Sequence, residues 1–265
     1  MTALPRGVFA AHKKNNEEYF RASFTFNGRH ISLGSFTDAE SAGHCYEEAK
    51  ELMDNPGIAI GDYSAGSRSI PFDKWVILIN LRDNSIYFPT PIYLRPNFFY
   101  YYLDETRILK FDKDDLFYYA NKKIMARGGH LFVSDFGVQE NILSRYGIMS
   151  RSQAGRDYIF KNGDRFDFRY SNLSIINKYH GVRRNSGKRA GSFTTRILIG
   201  GNLVVGTYSS ETEAAIAYNK AADILKRNGV TINYPTNYVE SITNKEYAEI
   251  YDSIKISPRI INYVP

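Results

Sequence analysis

The side chains best suited to chemistry lie around the stretch YIFKNGDRFDFRYSNL, which spans residues 158–173. Asp164 and Asp167 within it, Asp157 just before it and His130 upstream carry groups that can hold Mg²⁺ or accept a proton. Asp164 and Asp167 are the two weak candidates for metal ligands. Aspartates at turns also cap free backbone amides, and a histidine at a strand end is often structural. The sequence favours this second interpretation, so no catalytic residue is assigned.

Basic residues form the second chemically active group. The chain carries 34 Lys and Arg against 28 Asp and Glu, a formal net charge of +6 and a pI near 9.1, which favours polyanionic partners without establishing them. Residues 6–30 form one basic stretch, followed by the acidic segment 38–54. Residues 178–227 form the other, where nine cations face three carboxylates. The nine cations are Lys178, Arg183, Arg184, Lys188, Arg189, Arg196, Lys220, Lys226 and Arg227.

Both basic stretches belong to an internal repeat. Residues 20–53 and 193–225 align with a one-residue gap, and each copy shows the pattern of a strand, a tight Asn-Gly or Gly-Gly turn, a second strand and a helix. A short extended stretch that opens with Gly-Val precedes each copy. The shared positions are Phe20/Phe193, Gly28/Gly201, Gly34/Gly206, Phe36/Tyr208, Ala42/Ala214, Tyr46/Tyr218 and Ala49/Ala221.

Three strands and one helix in each copy predict a three-stranded antiparallel sheet with the helix packed on one face. Short polar residues at 37–38 and 209–210 predict where the two helices begin. Alanines at helical spacing let each helix lie close to its sheet. The opposite face of the sheet is then uncovered, and a basic uncovered face is typical of a surface that contacts phosphates.

Both copies resemble the APETALA/ethylene-response-factor DNA-binding domain, in the divergent form found in phage and bacterial mobile-element proteins. The resemblance rests on the opening RGVFA or HGVRR, the strand FRASF or FTTRI, the strand end LGSF or VGTY, and the helix ESAGHCYEEAK or EAAIAYNKAA. It covers residues 5–55 and 178–236. It implies a three-stranded sheet that lies in the major groove of double-stranded DNA and is braced by one helix. No cofactor is expected.

The resemblance also implies which residues meet the DNA. In the second copy they are His180, Arg183, Asn185, Thr194, Arg196 and Asn202, with the basic residues Arg184, Lys188 and Arg189 beside them. In the first copy they are Arg6, Phe9, Arg21, Ser23 and His30, with Lys13 and Lys14 in a neighbouring loop. Arginine suits guanine or phosphate, and Asn or Thr suits other base edges. Two departures leave the target sequence open, because Phe9 replaces the family's strand-one arginine and Val204 replaces a tryptophan.

The region between the two copies has a different composition. Residues 57–70 contain Gly and Ser without periodicity and predict a linker. Residues 71–177 are rich in aromatic side chains, and the runs WVILINL, SIYF and NFFYYYL predict strands. The aromatic run from Phe98 to Tyr102 is interpreted as core rather than as a surface for base stacking.

From Leu109 to Leu173 the order of motifs resembles HNH homing endonucleases. In that family a ββα finger binds one divalent metal, and a histidine acts as general base on the attacking water. The frame of such a finger is present, with Asn162-Gly163-Asp164 at the turn and Asn172-Leu173 opening the helix.

The residues that would do the chemistry are absent. The family's histidine pair is Ile159 and Phe160 in this chain, its central Asn is Phe168, and a further histidine upstream is Ser144. Phenylalanine and isoleucine neither bind Mg²⁺ nor accept a proton. We expect Phe160, Phe166 and Phe168 to fill the former metal pocket with apolar side chains.

These patterns predict an α+β fold, in which two modules of a three-stranded antiparallel sheet plus a helix flank a degenerate HNH (ββα) central domain. The predicted divisions are 1–56, 57–70, 71–177, 178–236 and 237–265. The last division contains a helix around NKEYAEIYDSIK, which docks on the core or forms a dimer contact. A single cysteine, Cys45, excludes an internal disulfide, and no apolar run reaches the roughly 18 residues of a membrane span.

The sequence therefore predicts a non-catalytic, sequence-specific protein that binds double-stranded DNA in the major groove. It is expected to be a homing-endonuclease derivative that regulates transcription, with repression as the favoured mode. A homodimer is left open, no membrane partner is expected, and the expected location is cytoplasmic and nucleoid-associated, in a bacterial or phage-infected cell. The alternative is a metal-dependent HNH-type homing or nicking endonuclease with a rebuilt site. A nucleic-acid-binding structural or anti-nuclease protein is a third hypothesis.

Overall fold

The computed structural model describes residues 3–135, 137–150 and 152–265, with the side chain of Asp135 excepted. Within these residues the chain is a mixed α/β protein, built from small antiparallel sheets of two or three strands and from six α-helices. No helix in this described part of the chain is long and apolar enough to cross a membrane.

The first module consists of three strands and a helix. The strands are β1 (Val8–His12), β2 (Glu18–Phe26) and β3 (Arg29–Phe36), which form a sheet in that order, and the helix is α1 (Ala39–Asp54). The tight turn between β2 and β3 places Asn27 at φ +47° and Gly28 at φ +74°, as a two-residue hairpin turn requires. The predicted strand–turn–strand–helix order is confirmed here.

Small residues set the distance between α1 and its sheet. Ala22 on β2 and Ala42 and Ala49 on the helix are fully buried, so the helix backbone lies close to the strands. The helix begins after Asp38, whose carboxylate accepts a hydrogen bond of 2.7 Å from the Ser41 amide. This is the start that the polar residues at 37–38 predict.

The central region holds two further helices and two more sheets. The first sheet follows the helix α2 (Phe72–Asn84) and has the order β4 (Ile92–Leu94), β5 (Phe98–Tyr102), β6 (Ile108–Asp112). The second sheet follows the short helix α3 (Leu116–Tyr119) and has the order β7 (Ile124–Arg127), β8 (His130–Asp135), β9 (Val138–Asn141).

Two of the three strands predicted for this region are wrong. The run WVILINL lies inside α2, where residues 75–81 are all buried, and the run SIYF forms neither strand nor helix. A short apolar run surrounded by protein has the same composition whether it is a strand or a helix, so β-branched residues misled the assignment. The run NFFYYYL does contain a strand, β5.

The segment 57–70, expected to be a linker, packs against the first module. Its Ile70 is buried, and the Glu48 carboxylate of α1 accepts hydrogen bonds of 2.8 and 2.9 Å from the Ser69 and Ile70 amides. The segment is therefore held against the first module, although its glycine and serine residues predicted a linker.

The segment 158–175, whose sequence resembles an HNH finger, forms a short hairpin of β10 (Tyr158–Phe160) and β11 (Leu173–Ile175). The helix expected to open at Asn172-Leu173 is wrong, because Leu173 begins β11 and pairs with Phe160. Pairing of residues 173–175 with β10 satisfies their backbone groups across the hairpin, which leaves no helix at this position.

The second module repeats the first. Its strands are β12 (Val182–Arg184), β13 (Phe193–Leu198) and β14 (Asn202–Tyr208), and its helix is α4 (Glu211–Arg227), which starts after Ser210 as predicted. Two more helices follow, α5 (Asn244–Ser253) and α6 (Pro258–Ile261). The helix predicted around NKEYAEIYDSIK is thus confirmed as α5.

The chain forms two compact units, each discontinuous in sequence. The first unit comprises Met1–Asn141 and Asp164–Tyr170, and the second comprises Ile142–Gly163 and Ser171–Pro265. The first module lies in the first unit together with β4 to β9, and the second module lies in the second unit. The middle of the loop between β10 and β11, Asp164–Tyr170, belongs to the first unit, although both strands belong to the second.

Candidate nucleic-acid interface

The two modules share one frame, down to the register of their strands. Val8 pairs with Ala22 in the first module, and Val182 pairs with Thr195 in the second. Each middle strand carries a bulge at the next peptide, between Ala22 and Ser23 or between Thr195 and Arg196. Every position on one sheet therefore has a defined counterpart on the other.

A glycine fixes where the first strand of each module meets its helix. Gly7 has φ +73° and Gly181 has φ +70°, and a Cβ on either would overlap a helix tyrosine ring, Tyr46 or Tyr218. The carbonyl oxygen of each glycine accepts a hydrogen bond from the bulged strand, 2.9 Å from Ser23 N and 2.8 Å from Arg196 N. Tyrosine and glycine together hold the first strand in place.

The face opposite the helix carries the arginines of the second module. Side chains alternate along a strand, so Arg183, Arg196 and Leu198 share the open face with Val204 and the strand partner of Leu198, Asn202. All five are exposed. Neither arginine forms an ion pair with any described residue, which leaves both guanidinium groups available to a ligand.

Asn185 is held on the same face by a small hydrogen-bond network. Thr194 Oγ1 donates to Asn185 Oδ1 at 3.0 Å, and the Asn185 amide nitrogen donates to Ser192 Oγ at 2.9 Å. Thr194 itself is only 8% exposed, so its prediction as a direct DNA contact is corrected: it lies beneath the surface and orients Asn185. Thr194 pairs across the sheet with Thr207, and this neighbour accounts for its burial.

Arg184 lies on the other side of the sheet. It follows Arg183 by one residue, and its guanidinium carbon lies 5.5 Å from the ring centre of Phe193, a side chain that packs with Ala214 and Ala215 of α4. Strand alternation turns this exposed side chain toward the helix side, away from the face that carries Arg183, and its contact with DNA stays a prediction. The other two basic neighbours, Lys188 and Arg189, are exposed in the turn between β12 and β13.

His180 is held by its backbone rather than offered as a cation. Its amide donates to Asn237 Oδ1 at 2.7 Å, and its carbonyl oxygen accepts from the Asn237 side-chain amide at 3.0 Å. Burial lowers the pKa of the half-buried His180 ring below its usual 6.5. The imidazole is therefore neutral near pH 7 and adds no charge to the face.

The open face of the first module has a different character. Phe9, Arg21 and His30 are exposed on it as predicted, and Phe9 is 55% exposed. Ser23 is only 8% exposed, so its prediction as a direct contact is corrected, since neighbouring strands enclose so short a side chain. Lys13 donates to Glu17 at 2.8 Å in an exposed ion pair.

Arg6 and Lys14 complete the cations predicted for this module. Both side chains are exposed, and neither forms an ion pair with any residue that the structure describes. Arg6 directly precedes Gly7, and Lys14 lies in the connection between β1 and β2. They flank the face rather than lying within its strands.

Charge is distributed unevenly between the two sides of the second module. Residues 178–208 contain no Asp or Glu, and their first acidic neighbours are Glu211 and Glu213 in the first turn of α4. Ser209 and Ser210 donate hydrogen bonds to Glu213, which lowers the pKa of that carboxyl and keeps it ionised at the helix N-terminus. The sheet is thus the cationic side of the module and the helix start is the anionic side.

The carboxylates in and just before the hairpin of β10 and β11 form hydrogen bonds within the protein. Asp167 is fully buried and accepts bonds of 2.8 and 2.6 Å from the Arg169 guanidinium, with Lys110 Nζ at 4.0 Å. Asp164 accepts from the Phe166 amide at 2.9 Å, as a turn-capping aspartate does. Asp157 pairs with Arg156 at 2.6 Å.

Within the described residues, no group of three or more His, Cys, Asp or Glu side chains is placed to hold a metal ion. The fourth candidate, His130, is exposed at the start of β8. The weak metal candidates Asp164 and Asp167 thus have the structural partners described above.

Of the three phenylalanines expected to fill apolar space in this segment, only Phe168 is buried. Phe168 is 4% exposed and stacks on Phe111 at 5.5 Å between ring centres. By contrast Phe166 is 39% exposed and Ile159 is 38% exposed, while Phe160 is half-buried. Alternation along the short strand β10 turns Ile159 outward, which residue type alone does not reveal.

Two buried asparagines that support the interface were not predicted from the sequence. Asn219 on α4 and Asn237 exchange hydrogen bonds of 2.9 Å in both directions, and Asn237 then holds His180. Polar residues are rarely buried without such a network, so Asn219 within an otherwise apolar helix stripe was the signal available.

A scan of protein-family models finds no match to this chain, and a search of curated proteins finds no significant relative. The geometry itself offers an antiparallel sheet face with two arginines that form no ion pair with any described residue, one oriented asparagine amide and no carboxylate within residues 178–208. Such a face can donate hydrogen bonds to base edges and phosphates.

Proposed function

We propose that this protein binds double-stranded DNA at a specific sequence through the open sheet faces of its two modules and regulates transcription without cutting, most simply as a repressor. The observation that carries the proposal is the open face of the second module, where Arg183 and Arg196 are exposed and unpaired. Unpaired guanidinium groups beside an oriented amide suit guanine edges, adenine edges and phosphates. The chain's net charge of +6 supports a polyanionic partner.

The absence of cutting is supported by the central segment. The buried Asp167 pairs with the partly exposed Arg169, and Phe168 fills space beside Phe111. Both carboxylate oxygens of Asp167 already accept hydrogen bonds from Arg169, so a metal ion would have to compete with that guanidinium for them. The endonuclease alternative therefore gains no support from these residues.

The test compares two arginines on the open face, Arg183 and Arg196, with Arg184, which lies on the helix side of the same sheet. Arg183→Ala and Arg196→Ala should each weaken binding to a duplex selected from a random pool by about 1–3 kcal/mol, if they contact bases. Arg184→Ala is the matched control, because it removes the same charge from the helix side and should change affinity much less. Binding is measured by fluorescence anisotropy at one fixed salt concentration.

The same samples test the absence of cutting. Incubation with Mg²⁺ or Mn²⁺ should leave the bound duplex intact on a denaturing gel. Metal-dependent nicks that disappear in Asp164→Ala would overturn the non-catalytic assignment. Equal affinities of the wild type and the Arg183 and Arg196 variants would overturn the second sheet as the contact surface.

A further inference from the structure

The two open faces use the same frame to present different chemistry. Because the strand registers and bulges coincide, Phe9 of the first module occupies the position that Arg183 occupies in the second. Arg21 likewise stands where Thr194 stands. At this pair of positions the first module therefore carries an aromatic ring on its first strand and a cation on its middle strand, whereas the second module carries a cation and a threonine.

Phe9 is exposed at a position that the fold leaves free. The side chain is 55% exposed, it lies on the open face opposite Val8, and its neighbours across the sheet are Arg21 and Ser35. A lone exposed phenylalanine elsewhere on a surface needs no explanation. Here, however, the matched position in a second copy carries an arginine that the proposed function places in a DNA groove.

An apolar ring in the major groove has one natural target among the base edges. The C5-methyl group of a pyrimidine is the apolar feature that the groove presents, and Phe side chains contact it. Arginine at the same place instead selects the O6 and N7 acceptors of guanine. The same sheet position would therefore select a methyl-bearing pyrimidine when it carries Phe and a guanine when it carries Arg.

We infer that Phe9 contacts a pyrimidine C5-methyl group, so that the first module binds a half-site different from that of the second and the target is asymmetric. This inference rests on the proposed function. The methyl group belongs to thymine or to 5-methylcytosine, which present it at the same place in the groove. The experiment below distinguishes these two sources.

The first measurement removes only the methyl group. In a duplex recovered by selection, each thymine is replaced in turn by deoxyuridine, and affinity is measured for the wild type and for Phe9→Ala. One position should weaken wild-type binding about three- to fivefold, the loss expected for one buried methyl group, and should leave Phe9→Ala unaffected. Phe117→Ala is the matched control, since Phe117 is 75% exposed on α3 and should keep the wild-type response.

The second measurement identifies the source of the methyl group. Selection is run on one pool with ordinary cytosine and on another with 5-methylcytosine in its place. Thymine enriched at the Phe9 position in both pools identifies thymine, and 5-methylcytosine enriched in the second pool identifies the modified base. In Phe9→Arg, guanine should be enriched at that position instead.

The outcomes separate this inference from the proposed function. If the duplex binds but neither deoxyuridine in place of thymine nor cytosine in place of 5-methylcytosine affects the wild type and Phe9→Ala differently, the methyl contact is wrong and DNA binding stands. If no duplex is retained in a salt-sensitive manner, the proposed function and this inference both fail. Circular dichroism of Phe9→Ala confirms that the variant is folded.

Discussion

At the scale of single residues, Gly7 and Gly181 determine how closely the first strand of each module approaches its helix. Each adopts a left-handed backbone conformation and lies against a tyrosine ring, Tyr46 or Tyr218, with no room for a side chain. Each carbonyl also accepts the hydrogen bond from the bulged middle strand. The open face that carries Phe9 or Arg183 is therefore positioned by a glycine two residues earlier in the chain.

Gly181→Ala should lower the free energy of unfolding by about 2–4 kcal/mol, because it adds a steric overlap to the cost of a left-handed alanine. Gly187→Ala is the control, since Gly187 has φ +63° and no atom lies within 4 Å of the place where its Cβ would sit, so that only the backbone cost of about 1 kcal/mol applies. Urea denaturation measures both. Equal losses in the two variants would show that the tyrosine contact contributes nothing.

Residue type indicated which sheet carries the basic residues better than it indicated the side of the sheet on which each residue lies. The basic and polar residues of the second copy were correctly placed near one sheet, yet Arg184 lies on the helix side and Thr194 lies beneath Asn185. A strand reverses the direction of its side chains at every residue, so the sequence assigns sides only when the register is known. Burial of short side chains such as Ser23 depends on neighbours from other strands, which a single sequence does not reveal.

At the scale of elements, the segment that follows α4 acts as a strap across the second module. Residues 228–239 form no regular strand, but Asn237 bonds both to Asn219 on α4 and to the backbone of His180 just before β12. The backbone of Asn237 is thus bonded to the helix, and its side chain is bonded to the backbone just before the strand that carries Arg183. We call this segment the strap of the second module.

Asn237→Ala should destabilise the second module by about 2–3 kcal/mol, because it leaves the amide and carbonyl of His180 without their partner. Asn233→Ala provides the control, since that side chain is exposed and makes no hydrogen bond within the described chain. Hydrogen exchange of the His180 amide should accelerate only in the Asn237 variant. Unchanged protection would mean that the strap does not hold this strand.

Elements that recur were easier to predict than elements that occur once. The repeat identified both modules because two independent copies of turn glycines, helix caps and alanine stripes agree with each other. The helix α2 had no second copy, and its run of valine, isoleucine and leucine suited a strand equally well. The segment that resembles an HNH finger also occurs only once. Its turn residues match that family but its metal-binding residues do not, and the helix expected there is the strand β11.

At the scale of the whole molecule, the proposed function places two DNA-binding modules on one chain, which can bind DNA more tightly than either module does alone. Tethering turns the second contact into an intramolecular event, which raises affinity by about 10²–10⁴ without any new contact. Two faces of modest chemistry, such as one arginine and one phenylalanine on the first sheet, then suffice for useful specificity.

Scrambling either half of a selected duplex should therefore weaken binding about 100-fold or more, whereas scrambling base pairs that neither module contacts should have little effect. Titrations of labelled duplexes at constant salt measure this. Arg183→Ala should no longer discriminate between the intact second half and its scrambled version as strongly as the wild type does. If each half-site on a separate duplex bound the protein as tightly as the intact duplex does, tethered binding would be contradicted.

The discontinuity of the two compact units has a consequence for anyone who wishes to divide this protein. The chain leaves the first unit after Asn141, returns for Asp164–Tyr170 and leaves again at Ser171, so that neither unit is encoded by one uninterrupted segment. No single cut therefore separates the two units. A fragment that ends at Tyr170 contains all of the first unit but also Ile142–Gly163 of the second, and a fragment that begins at Ile142 contains all of the second unit but also Asp164–Tyr170 of the first.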